Sequence, residues 1–217
     1  MGFTADKPAI SSLESAESSI IVAALQGKPE AWESLVRAHQ QVVFRLCYLM
    51  LGDSDEAEDI SQEAFLRAAR ALDRFDLSRP FRPWLLSIAA NLARNRRRSI
   101  GRQLNALKRI WQSEPHPITN IEESTVQRWQ AQTLWQAIRR LNWADQEVIY
   151  LRYFLEVPIE EVAESLGVAA GTVKSRLHRA VGRLRAIVDR DFPGLREAVF
   201  ESGNLNNKAS SAQGQIE

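Results

Sequence analysis

The sequence predicts an all-α protein of two small helical domains joined by a flexible linker, the second domain containing a helix-turn-helix. Three observations carry this. Apolar residues recur at three- and four-residue steps along most of the chain, and no stretch of useful length alternates with period two. The periodicity fades between about residues 99 and 127, where Pro115, Pro117, Thr119 and Asn120 punctuate the chain. Near the C-terminal end, Gly167 separates two short amphipathic runs, the order a helix-turn-helix requires.

The first long helix is marked by Trp32, Leu35, Val36, His39, Val43, Leu46 and Met50, and Gly52 ends it. Asp53 then stands as an N-cap with Glu56 three residues on, opening a second helix whose buried stripe is Ala57, Ile60, Ala64, Ala68 and Leu72. Two prolines break the pattern between Asp76 and Pro83, and a third long helix is expected from about Trp84 into an arginine run. A linker follows, with a helical start at Gln103 to Trp111. About 25 residues extended at roughly 3.3 Å each would reach about 80 Å. Beyond it, Leu134, Ala137, Ile138 and Leu141 form one stripe. Asn142 caps the next helix, which carries Val148, Ile149, Leu151, Tyr153 and Phe154.

In the helix-turn-helix, Pro158 opens the helix Ile159 to Leu166, and a second helix starts at about Ala170. Ala163 is small where two helices cross closely, and Gly167 can adopt the positive φ that the turn needs. Val162, Leu166, Val168, Val173 and Leu177 are the expected shared core. The second helix exposes Thr172, Lys174, Ser175, Arg176, His178, Arg179, Arg183 and Arg185, residue types that bond phosphates and base edges. The division read from these features is 1–24 as an N-terminal extension, 25–98 and 128–192 as the two domains, and 99–127 as the linker. Residues 193–217 form a tail, expected to be disordered from about residue 201.

Composition excludes several classes. In 217 residues, 45% are hydrophobic and 25% charged, a globular balance. No apolar run approaches the ~18 residues of a membrane span, and Met1 to Ser12 has no apolar core of a secretory signal, so a cytoplasmic protein without membrane insertion is expected. The single cysteine, Cys47, precludes an internal disulfide and reads as a core thiol. His39, His116 and His178 offer no zinc cage, and His39 lies on an apolar stripe with no evident co-ligand. No nucleophile–base pairing or phosphate loop appears, so neither an enzyme nor a cofactor or metal is expected. The net charge of +1 conceals segregation. Asp53 to Glu63 holds six acids and no base; Asn91 to Ile110 holds seven bases and no acid; Gly171 to Arg190 holds six bases and one acid. This suits two basic nucleic-acid surfaces and one acidic protein-facing surface.

The run GTVKSRLHRA from Gly171 to Ala180, preceded by QEVIYLRY from Gln146 and EEVAESLG from Glu160, resembles the promoter-binding C-terminal domain of bacterial RNA polymerase sigma factors. DEAEDISQEAFL, Asp55 to Leu66, resembles the sigma segment that docks on core polymerase. FRPWLLSIAANLARN, Phe81 to Asn95, resembles the helix that engages the −10 promoter element. Two such domains, a linker and nothing larger resemble the small extracytoplasmic-function (ECF) group. The resemblance covers about Pro29 to Arg190.

It implies a dissociable polymerase subunit that selects promoters and helps to melt them. Its partners would be the β′ and β subunits of core RNA polymerase, promoter DNA and an anti-sigma factor. Asp59, Gln62, Glu63 and Leu66, at i, i+3, i+4 and i+7, would meet the β′ coiled coil. Trp84, Asn91, Arg94, Asn95 and Arg98 would engage −10 DNA, and Thr172, Lys174, Ser175, Arg176, His178 and Arg179 the −35 element. The loop Asp76 to Arg82 would hold a flipped base; it is short, proline-bearing and without glycine, unlike the common pattern. The alternative reading is a helix-turn-helix regulator with an N-terminal sensing or dimerisation domain, for which the Asp59–Leu66 face would have no use.

Overall fold

Helix boundaries follow from residues that cannot continue, or that begin, an i to i+4 ladder. The structure is a computed structural model describing residues 17–107 and 125–195. Its elements are α1 (17–25), α2 (Pro29–Leu51), α3 (Ser54–Ala71) with a 3-10 turn at Leu72–Arg74, and α4 (Phe81–Leu107). After these come α5 (Thr125–Arg139), α6 (Trp143–Ile149) continued by a π-helical turn at Tyr150–Phe154, α7 (Ile159–Leu166) and α8 (Ala170–Asp191). No strand occurs among the described residues.

The expected stops and starts are in place. Gly52 ends α2 at φ 78°, its N–H bonded to the Tyr48 carbonyl at 2.7 Å. The Asp53 carboxylate accepts from the Glu56 N–H at 2.9 Å and caps α3. The Asn142 side chain likewise accepts from the Asp145 N–H at 3.1 Å. Gly167 takes φ 65°, and Val168 N–H closes onto the Ala163 carbonyl at 3.0 Å. A Cβ added at Gly167 would meet nothing within 4 Å, so glycine is needed there for its backbone conformation and not for space.

Three expectations change. The third helix begins at Phe81, ahead of Trp84, because a proline in the first turn forfeits no ladder bond; Pro83 is inside it. It runs on to Leu107, so the segment expected to start anew at Gln103 is partly its continuation. The middle of the expected linker and residues 196–217 of the expected tail lie outside the described residues; residues 193–195, counted with that tail, are helical and Leu195 is buried. Leu134, read as stripe, is 37% exposed, whereas Ala137, Ile138 and Leu141 are buried.

Contacts divide the described chain into two units: 17–107 with 150–173, and 125–149 with 174–195. In the first, α2, α3 and α4 pack mutually around Leu35, Val43, Leu46, Met50, Leu85 and Leu86, all nearly or fully buried. Alanines 57, 64 and 68 give α3 a thin side on which its neighbours approach closely. Cys47 is fully buried in this core, and burial pushes its thiol up to about 12. His39, expected on the apolar stripe of α2, is buried there: its Nε2 lies 2.8 Å from Glu17 Oε1 on α1, and its ring stands 5.4 Å from that of Phe81. In the second unit the core is Ala137, Ile138, Leu141, Val148, Ile149, Leu177 and Ala180.

Candidate polymerase and nucleic-acid interfaces

On α3, helical spacing and burial separate two sides. Ala57, Ala64 and Ala68 face inward, and Asp59, Gln62 and Leu66 are exposed with Glu63 half-buried beside them. Leu66 is 53% exposed, although its neighbour Phe65 packs edge-on against Trp32. Arg67 Nε donates to Glu63 at 2.7 Å, and Gln62 donates to Glu58 at 3.3 Å. The four expected residues therefore share one face, an uncovered leucine framed by carboxylates. That surface is complementary to a basic amphipathic helix.

On α4, Asn91, Asn95 and Arg98 are exposed and Arg94 half-buried, its guanidinium donating to the Asn91 side-chain oxygen at 2.8 Å. Trp84 is on the same side, half-buried in an aromatic cluster with Phe75 (ring centroids 4.9 Å apart) and Phe81 (5.5 Å). This cluster roots the preceding loop. Within that loop Asp76 accepts from the backbone N–H and hydroxyl of Ser78, at 3.0 and 2.7 Å, and these bonds hold its carboxyl below the usual range. Leu77 stands 43% exposed beside them. Arg82, read as part of the loop, belongs instead to the first turn of α4.

On α8, Val173, Leu177 and Ala180 are buried and leave Thr172, Lys174, Ser175, His178 and Arg179 exposed, with Arg176 half-buried. Arg183, counted with this exposed set from sequence, is exposed as well, but its Nε also donates to Asp145 at 3.0 Å. Asp145 is 2% exposed, and a buried carboxylate without a cation would be costly. Sequence reasoning also passed over Arg96, which pairs with Glu56 of α3. Its spacing from Leu85, Ala89 and Leu92 was the available signal. Among the described residues no group of three or more His, Cys, Asp or Glu side chains could hold a metal ion, and no helix is long and apolar enough to cross a membrane.

Residues 35–103 match the family Sigma-70 region 2, and residues 131–184 match Sigma-70, region 4. The N-terminal half thus matches a sigma region in place of the alternative sensing or dimerisation domain. The chain is 33% identical to the ECF RNA polymerase sigma factor SigW of Bacillus subtilis, over 74% of this chain and 90% of that protein. It is also 33% identical to ECF sigma factor SigL of Mycobacterium tuberculosis, over 76% and 94%. Among solved structures it resembles CnrH in complex with the cytosolic domain of CnrY, with TM-score 0.61, 26% identity, and coverage of 81% of this chain and 99% of that one. A sigma factor RpoE from Bartonella quintana, solved with the anti-sigma factor NepR, shares the fold at TM-score 0.60 and 23% identity, over 73% and 97%. The acidic face on α3, the basic faces on α4 and α8, these two ordered matches and the ECF relatives make the chain a member of the ECF group of RNA polymerase sigma factors, transcription initiation factors that direct polymerase to promoters.

Proposed function

We propose that this sigma factor docks on core RNA polymerase through Asp59, Gln62, Glu63 and Leu66, and reads its promoter with two further faces. Residues 25–98 act as the polymerase- and −10-binding domain, and residues 128–192 as the −35-binding domain. Thr172, Lys174, Ser175, Arg176, His178 and Arg179 meet the −35 duplex, where arginine and lysine bond guanine edges or phosphates. Trp84, Asn91, Arg94, Asn95 and Arg98 engage the −10 element, and the loop from Asp76 receives a base turned out of the stack, with the exposed Leu77 against it. The single observation that carries this reading is the separation of charge by helix: the exposed leucine among acids on α3, against exposed bases on α4 and α8.

The protein works in the cytoplasm, where polymerase is, and an anti-sigma factor is its regulator; both structural relatives above were solved with such a partner or with a cytosolic domain. Run-off transcription with purified core polymerase tests the reading. Addition of the protein should produce transcripts from a defined set of promoters that core alone ignores. Duplex binding by the protein with no effect on transcription by core would instead favour an ordinary regulator.

A further inference from the structure

The arginines of α4 do not share a face. At about 100° per residue, Asn91, Arg94, Asn95 and Arg98 cluster together, whereas Arg96 lies roughly 150° from their centre. It prolongs the inward stripe of Leu85, Ala89 and Leu92, all buried, at successive steps of four, three and four residues. From Arg94 to Ile100 no residue of α4 is buried, so the stretch carrying much of the basic face has lost its apolar anchorage. At this point the Arg96 guanidinium forks onto Glu56 of α3. Its Nε donates to Oε2 and a terminal nitrogen donates to Oε1, the latter at 2.5 Å. Hydrogen bonding to Glu56, then the charge of Glu56, with a smaller contribution from Asp59, holds the guanidinium above its ordinary value. Glu56 stands one turn before Asp59 and two before Glu63, at the edge of the acidic face.

We propose that Glu56 and Arg96 are a positioning pair that holds the −10 face of α4 in register with the docking face of α3, so that strand opening depends on two residues outside both sets of assigned contact residues. The proposal rests on the functional reading above. Docking fixes α3 on polymerase, and polymerase holds the DNA, so the α4 side chains reach their bases only through the α3–α4 relation. A bidentate arginine–carboxylate fork defines both distance and orientation, which a lysine cannot do. Small displacements of a positioned group are expensive at the step it serves.

The test compares E56Q, R96Q, R96K and the charge swap E56R/R96E as full-length proteins with core polymerase. Core affinity, permanganate-detected opening of a duplex promoter, and transcription from the same promoter with its −10 region already unpaired are measured. For E56Q and R96Q we expect core affinity within about twofold of wild type and opening slowed by about five- to tenfold, with near-normal use of the pre-opened template. R96K should behave as R96Q, and the swap should regain part of the opening rate. Normal opening by both single variants would overturn the proposal. So would a defect that persists on the pre-opened template, or one that merely tracks lost core affinity, since a general structural weakness would produce either. Should the single variants fail to fold, the swap decides: a folded swap that opens the promoter supports the pair, and one that does not overturns it. Inactivity of the wild-type protein with core would defeat the functional reading itself, separately from this pair.

Discussion

Lys174, Arg176, His178 and Arg179 lie on the outward side of α8, whereas Arg183, one turn further on, closes onto the buried carboxylate of Asp145. The two kinds of position predict different behaviour. Replacing a base-reading arginine by alanine should weaken −35 binding by about 1–3 kcal/mol at one base position, and replacing a phosphate-contacting base should weaken all sequences and lower the salt slope. Affinities of the alanine variants at Lys174, Ser175, Arg176, His178 and Arg179 for a set of single-base promoter variants separate these outcomes. Full wild-type affinity and preference in all five would mean that another surface reads the element. Arg183→Ala, by contrast, should act first on stability, because it leaves Asp145 buried without its cation.

At the scale of elements, two predictions concern how a helix ends and what its outer side offers. Gly167→Ala places a Cβ in a conformation with φ 65°, which costs about 1–2 kcal/mol with no clash to add to it. Urea denaturation should register that loss, and −35 affinity should fall with it because the turn aims α8. On α3, Asp59→Ala with Glu63→Ala removes two charges from the outer face and touches none of the buried alanines. Folding stability should stay within about 0.5 kcal/mol of wild type, while recovery of core polymerase in a native pull-down drops. Undiminished recovery would remove the docking assignment.

For the whole molecule, the three faces imply an order of events. On the proposed reading a base enters the loop at Asp76 only after leaving the duplex, and unstacking costs a few kcal/mol per base. The protein alone should therefore bind promoter duplex weakly and leave it closed, and the polymerase complex should open it. Asn91→Ala with Arg94→Ala should reduce opening more than it reduces initial −35 binding. Permanganate reactivity of unpaired thymines follows the bubble directly; opening by the free protein, or by a complex indifferent to these substitutions, would contradict the mechanism.

Much of this was legible before any coordinates. The all-α class, the stops at Gly52 and Gly167, the caps at Asp53 and Asn142 and the outward placement of Asp59, Leu66, Asn91 and Lys174 depend on neighbours within a turn or two, and local spacing encodes them. The sigma-factor resemblance was likewise carried by short runs in a fixed order. What the sequence could not disclose was how like charges part company. Arg94 and Arg96 are two residues apart, yet one faces outward and the other forks onto Glu56, forty positions away. Arg183 meets Asp145, and His39 meets Glu17, for the same reason. A long side chain pairs with whichever opposite charge packing brings within reach, and only the assembled helices decide which one that is.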